Sequence, residues 1–312
     1  MALITAPNSQ QITYRPMTES DLAASVYVRK AANESLERAA GQGAPWMPAN
    51  PHTQRHLLTT DPAGSIVAEI DGLIVGYAQG LLRGDIWFLS QLFVQPEVHS
   101  LGIGAGLLKR AQKYGRENGA RIFAVVSTAQ PVSQSLYMRH GMFAFGIGYR
   151  MTGDLEALRA LPEPDGNKKR IVDCSGWQDQ IAALDRDVFG AERRQDHAAY
   201  ISGGVSAGDV GSFGLTRNGG LAGYGYAIAD GGFIAPMAAY EAAEQLPLLR
   251  MGAEWLLDRE TSTGSIWVVS HNTVLMSALL AARWRIGFWT FLMASEAFGK
   301  FDRYHPAGGM LL

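Results

Sequence analysis

One stretch constrains this chain more than any other: Leu92-Phe93-Val94-Gln95-Pro96-Glu97-Val98-His99-Ser100-Leu101-Gly102-Ile103-Gly104-Ala105-Gly106-Leu107-Leu108. It reads as a buried strand, a glycine-rich loop and a helix. The first N–H groups of a helix lack intrahelical partners, and its dipole places partial positive charge there. Glycines let that backbone approach an anion closely. The segment is therefore suited to a phosphate-bearing ligand.

The patterns around it give an α/β (α+β) chain. A short strand starts near Ile12, and Thr18 with Asp21 stands at a capping-box spacing before a helix. Residues 41–51, with their prolines and glycines, read as a loop, and residues 51–60 as a second helix. Asp71-Gly72 between two β-rich runs signals a tight hairpin. A third run, 85–94, leads into the glycine loop. A helix over 102–118 ends at Gly119, followed by a strand at 122–127, a short helix at 133–140 and a strand at 142–151. The run 161–170, with two prolines, a glycine and three consecutive basic residues, reads as a linker. It divides the chain into residues 1–160 and 161–312. The second half repeats the element order, with a helix expected over 237–258, which suggests a duplication.

Composition excludes several classes. The 312 residues are 47% apolar and 18% charged, with net charge −2 and one cysteine, Cys174. That is a globular chain with no electrostatic case for nucleic acid and no disulfide within it. The first eleven residues do not read as a signal peptide, and no apolar run is long enough to span a membrane. The expectation is a cytoplasmic protein with no membrane partner. His197, His271 and Asp196 match no metal-ligand spacing and read as ordinary polar residues. Trp255, Trp267, Trp284 and Trp289 read as core.

A Walker loop is excluded, because no Gly-Lys-Ser/Thr follows the glycines. A dinucleotide fingerprint fits poorly, because a hairpin precedes the loop and no acidic residue ends the next strand. The run Leu92-Phe93-Val94-x-Pro and then His99-x-x-Gly102-x-Gly104-x-Gly106-Leu107-Leu108 instead resembles the acetyl-CoA motif of the GNAT superfamily of N-acetyltransferases. Gln130 stands where that family usually has asparagine, and Leu136-Tyr137-x-Arg139-His140-Gly141-Met142 resembles its Leu-Tyr-x-x-x-Gly-Phe. Parts of the second half resemble the second domain of tandem GNAT proteins: Phe189-Gly190-x-x-Arg193, Gly223-Tyr224-Gly225-Tyr226, Ile234-Ala235-Pro236 and Ser270-His271-Asn272.

The resemblance implies two GNAT-like domains, each a mixed, mostly antiparallel twisted sheet flanked by helices, the second degenerate. It implies that acetyl-CoA is the cosubstrate, without a metal. Leu92, Phe93 and Val94 would pair with the pantetheine arm. The N–H groups of Ser100, Leu101, Gly102, Ile103, Gly104 and Ala105 would hold the pyrophosphate, Gln130 would reach the arm, and Tyr137 would be general acid for the leaving thiolate. The partner would be a small-molecule or peptide amine, attacked directly, and a homodimer is compatible with this reading. A non-catalytic acyl-CoA sensor is the alternative, because no carboxylate stands on the fourth or fifth strand as general base. Pro236 and the lack of a Gly-x-Gly argue against phosphate binding in the second half.

Overall fold

The computed structural model describes residues 11–40, 51–206, 208–308 and 311. The expected loop over 41–51 therefore lies almost wholly outside the described residues. The first half contains β1 (Ile12–Pro16), α1 (Leu22–Ala40), α2 (His52–Thr60), β2 (Ser65–Ile70), β3 (Leu73–Arg83), β4 (Ile86–Val94), α3 (Ile103–Glu117), β5 (Ile122–Thr128), α4 (Pro131–Arg139) and β6 (Phe143–Asp154). The second contains β7 (Lys168–Ile171), α5 (Gln178–Val188), α6 (Arg194–Ile201), β8 (Val210–Arg217), β9 (Gly220–Ile228), β10 (Phe233–Ala239), α7 (Gln245–Leu257), β11 (Thr263–Val269), α8 (Thr273–Ala281), β12 (Arg285–Ala294) and β13 (Tyr304–His305).

The Thr18–Asp21 capping box is present, but it opens a short 3-10 turn that then feeds α1. Lys168 and Lys169, read as linker, already belong to β7. The helix expected from residue 237 starts only at Gln245. Met237–Ala239 stay extended because β9 pairs with them, Met237 opposite Gly225 and Ala238 opposite Tyr224. Trp267 and Trp284 are buried as expected, whereas Trp289 is 37% exposed.

All these strands form one sheet, in the order β1-β2-β3-β4-β5-β12-β6-β11-β10-β9-β8-β7, with β13 attached to β10. Adding six to each number of the first half reproduces the second half read from the other edge, so the order has a pseudo-twofold at the β6–β12 pair. Each half lends its sixth strand to the other: β12 lies between β5 and β6, and β6 between β12 and β11. The contacts β4–β5 and β10–β11 are parallel and the other pairings antiparallel.

The strand alternation assigns the helices to faces. Ile66, Ala68 and Ile70 point to the cluster that holds Leu107, Leu108 and Ala111 of α3, while Val67 between them joins Leu22 and Val28 of α1. α4 shares the α3 face through Tyr137. On the other face Leu57 of α2 shares a core with Ile181 and Leu184 of α5 and Tyr200 of α6. That face also carries the main polar joint between halves. Arg83 donates to Asp196 at 2.6 and 2.7 Å and to Asp61 at 2.8 Å, and His56 Nε2 lies 2.7 Å from Asp196. Burial alone would raise the Asp196 carboxyl, but Arg83 and His56 hold it well below its usual range.

Candidate active site

β4 and β5 pair only from Ile86–Ile122 to Leu89–Val125, and beyond that they separate. The Gln95 N–H donates to the Val75 carbonyl at 2.8 Å. By strand alternation Phe93 therefore turns its backbone groups to β3, while Leu92 and Val94 turn theirs to the gap. An unpaired strand edge there can receive an extended ligand.

The loop after β4 ends on two left-handed residues, Ser100 at φ 76° and Gly102 at φ 75°. The first helical bond of α3 runs from the Gly106 N–H to the Gly102 carbonyl at 3.0 Å, so Ile103, Gly104 and Ala105 have no intrahelical acceptor. The three glycines serve different ends. Gly102 supplies the positive φ. Gly104 is in the first turn of α3, where a Cβ would meet only Leu136 and Val94 at 3.8 and 3.9 Å, so its backbone is unstrained and its bare surface faces the gap. Gly106 makes room for Tyr14, whose ring a Cβ would overlap.

Leu92, Phe93, Val94, Ser100, Gly102, Ile103, Gly104, Ala105, Gln130 and Tyr137 all line one cavity of about 920 Å³. Leu101 does not; it is 47% exposed. Gln130 precedes the first turn of α4, which starts at Pro131. Tyr137, on the same helix, is buried, and burial alone pushes its phenol well above the ordinary range, so it is protonated at neutral pH. Its hydroxyl has no hydrogen bond to a described residue, although the ring lines the cavity. His99 also lines the cavity, and its Nε2 donates to the Val94 carbonyl at 3.1 Å, engaging one acceptor of the open edge.

The cavity passes through the sheet. Ala32, Ser35 and Leu36 of α1 bound it on the face opposite α3, and it continues along that face over β12, β6, β11 and β10. Two residues there escaped the sequence reading, Arg150 on β6 and Asp230 in the turn before β10, and Trp267 on β11, read only as core, lines the same wall. Asp230 is the one carboxylate on the cavity wall among the described residues. Its place beside Gly231-Gly232 reads as turn chemistry, which hid it. Glu97 is exposed and off the wall. His140 Nδ1 donates to Gln112 at 2.9 Å, off the cavity.

Cys174 is buried, and burial pushes its thiol up to about 12. Asp196 serves Arg83 and His56, and His197 Nε2 donates to Asp185 at 2.7 Å. Arg193 of the Phe-Gly-x-x-Arg segment donates to Asp185 at 2.9 and 3.1 Å, to Tyr304 at 2.6 Å and to Tyr224 at 2.9 Å. No group of described residues could hold a metal ion, and no helix among them is long and apolar enough to cross a membrane.

Comparison with known proteins agrees with this fold. Residues 28–142 match the acetyltransferase (GNAT) family. An uncharacterized N-acetyltransferase of Archaeoglobus fulgidus is 36% identical over 73 residues, which cover 21% of this chain and half of that one. A protein of Pyrococcus horikoshii assigned as an acetyltransferase superposes with TM-score 0.72 at 15% identity, covering 97% of this chain and 95% of that one. The tandem GNAT protein from the clavulanic acid biosynthesis pathway superposes at 0.64 and 15%, covering 92% and 99%. Residues 28–142 thus match the acetyltransferase (GNAT) family, in a chain whose fold along its length resembles that of a tandem GNAT protein.

Proposed function

We propose that the protein is an N-acetyltransferase that binds acetyl-CoA in the gap between β4 and β5 and passes the acetyl group to a primary amine by direct attack. The observation that carries this reading is the convergence on one cavity of an open strand edge, three unpartnered helix N–H groups and a protonated tyrosine. The cosubstrate would supply an activated thioester. Leu92 and Val94 would bind its arm through their backbone, with Gln130 beside it. The N–H groups of Ile103, Gly104 and Ala105 would face its phosphates, as helix N-termini do. Tyr137 holds its proton at the phenolic oxygen and would deliver it to the departing sulfur. The same proposal takes residues 1–160 as the acetyl-CoA-binding unit and 161–312 as a degenerate copy that completes the acceptor side.

Thiol release from acetyl-CoA with a panel of amines tests the reading. Tyr137→Phe keeps the ring and removes the proton, so kcat is expected to fall ~10²–10⁴-fold with unchanged cosubstrate affinity. A fall under threefold would leave Tyr137 a packing residue. Acetyl-CoA binding without thiol release from any amine would instead support a non-catalytic acyl-CoA-binding protein.

A further inference from the structure

The half of the cavity that lies over the second half of the sheet is built around one arginine. Arg150 stands on β6 with Trp267 opposite it on β11 and Phe288 opposite it on β12, so the three side chains share a face. Gly148, two residues earlier, leaves room for the Trp267 indole, whose N–H donates to Thr290 at 3.0 Å. The Arg150 Nε donates to Ser265 at 3.0 Å, and its guanidinium carbon lies 5.7 Å from the centre of the Phe233 ring.

Arg150 differs from Arg83 and Arg193, the arginines that join the two halves and fasten β13. Arg83 and Arg193 are each met by aspartate at under 3 Å. Arg150 forms no ion pair with a described carboxylate, and its two terminal nitrogens have no hydrogen-bond partner among the described residues. A half-buried cation without a counter-ion is costly, and here burial lowers its proton affinity with nothing opposing it. An anion bound from the cavity would offset that cost. A guanidinium matches a carboxylate in a planar, two-bonded geometry. Asp230, on the same wall and three residues before Phe233, disfavours a doubly charged phosphate and suits a molecule that also carries an ammonium.

We propose that the acceptor is an amine that carries its own carboxylate, an amino acid or short peptide. Arg150 takes the carboxylate, and Phe233, Trp267 and Phe288 cover the apolar body. This rests on the acetyltransferase reading for the role of the bound molecule, while the carboxylate site itself can be tested without acetyl-CoA.

The experiment uses matched acid and carboxamide pairs: N-acetylphenylalanine, N-acetylleucine and Nα-acetyllysine, each against its amide. Binding is measured by calorimetry on the wild-type chain, Arg150→Gln and Arg150→Lys. The free-amine pairs are then run in the thiol-release assay. At least one acid is expected to bind ~10–100-fold tighter than its amide in the wild type. Arg150→Gln should erase the preference and Arg150→Lys should keep part of it, with acetyl-CoA affinity unchanged in both. No acid preferred over its amide, or a preference that survives Arg150→Gln, would overturn the proposal. A wild-type chain that shows the acid preference but does not bind acetyl-CoA would overturn the acetyltransferase reading and leave the carboxylate site standing.

Discussion

The sheet opens twice, and the two openings end differently. Between β4 and β5 the strands separate after Leu89, and the outward backbone groups of Leu92 and Val94 meet a cavity instead of a neighbouring strand. Between β10 and β11 only Phe233 and Ser265 pair before the strands separate. There the chain's own C-terminal segment enters: β13 pairs with β10, Met237 opposite His305 and Ala238 opposite Tyr304. β9 occupies the other edge of β10 over the same residues, so β13 fills the gap. The helix starts differ as well. α3 begins at a left-handed glycine with a bare first turn, whereas α7 begins behind a 3-10 turn and carries Pro247, which has no N–H, in its own first turn. One of the two openings faces a cavity and the other is closed by an internal strand.

Arg193 is what fastens that strand, and its removal is the harshest test of the comparison. It joins Asp185 and Tyr224 to Tyr304 of β13, and burial would raise the Asp185 carboxyl were Arg193 and His197 not holding it down. Arg193→Met keeps the length and leaves Asp185 buried without its main counter-ion. Urea unfolding should show a loss of about 3–5 kcal/mol, the usual effect of breaking one partner out of a buried pair. A loss under 1 kcal/mol would mean that the closure does not depend on this cluster.

A smaller effect follows from His305. Its Nε2 donates to the Ile234 carbonyl at 3.2 Å, and burial lowers it to about 3. The folded value lies below the unfolded one near ~6.5. Its contribution is therefore intact above that pH and is lost as pH falls toward 3, by about 1.4 kcal/mol per pH unit. His305→Asn retains a donor and cannot titrate. The stability difference between wild type and His305→Asn should shift by about 1.4 kcal/mol between pH 7.5 and 5.5, against the wild type at the lower pH. A difference independent of pH would show that β13 stays solvated.

The open gap was legible in the sequence and the closed one was not. Glycine spacing, the preceding apolar strand and the Leu136-Tyr137 segment are local signals, and nearly all the residues they pointed to line one cavity. Leu101 lies off the wall, because a residue's position in the loop fixes its neighbours but not its exposure. The strand exchange left no local trace: β6 and β12 read as apolar-rich strands whichever half they pair with, and register between distant strands is set by tertiary packing. Met237-Ala238-Ala239 has helix-forming residues after a proline, and pairing with β9 and β13 overrode that propensity. Nothing local in the sequence singled out Arg150 within its strand. Only the addition of β11 and β12 on both sides of β6 buries its face.

The central claim is that the chain has one cosubstrate site and that it lies in the gap beside Gly104. Calorimetric titration of acetyl-CoA into the wild-type chain and into Gly104→Val tests it directly. The backbone at Gly104 is unstrained and a Cβ there meets only ordinary contacts, so the variant should retain its melting temperature while its side chain enters the cavity. The account predicts one site per chain in the wild type and none in the variant. Two sites per chain, or one site with affinity unchanged in Gly104→Val, would contradict it.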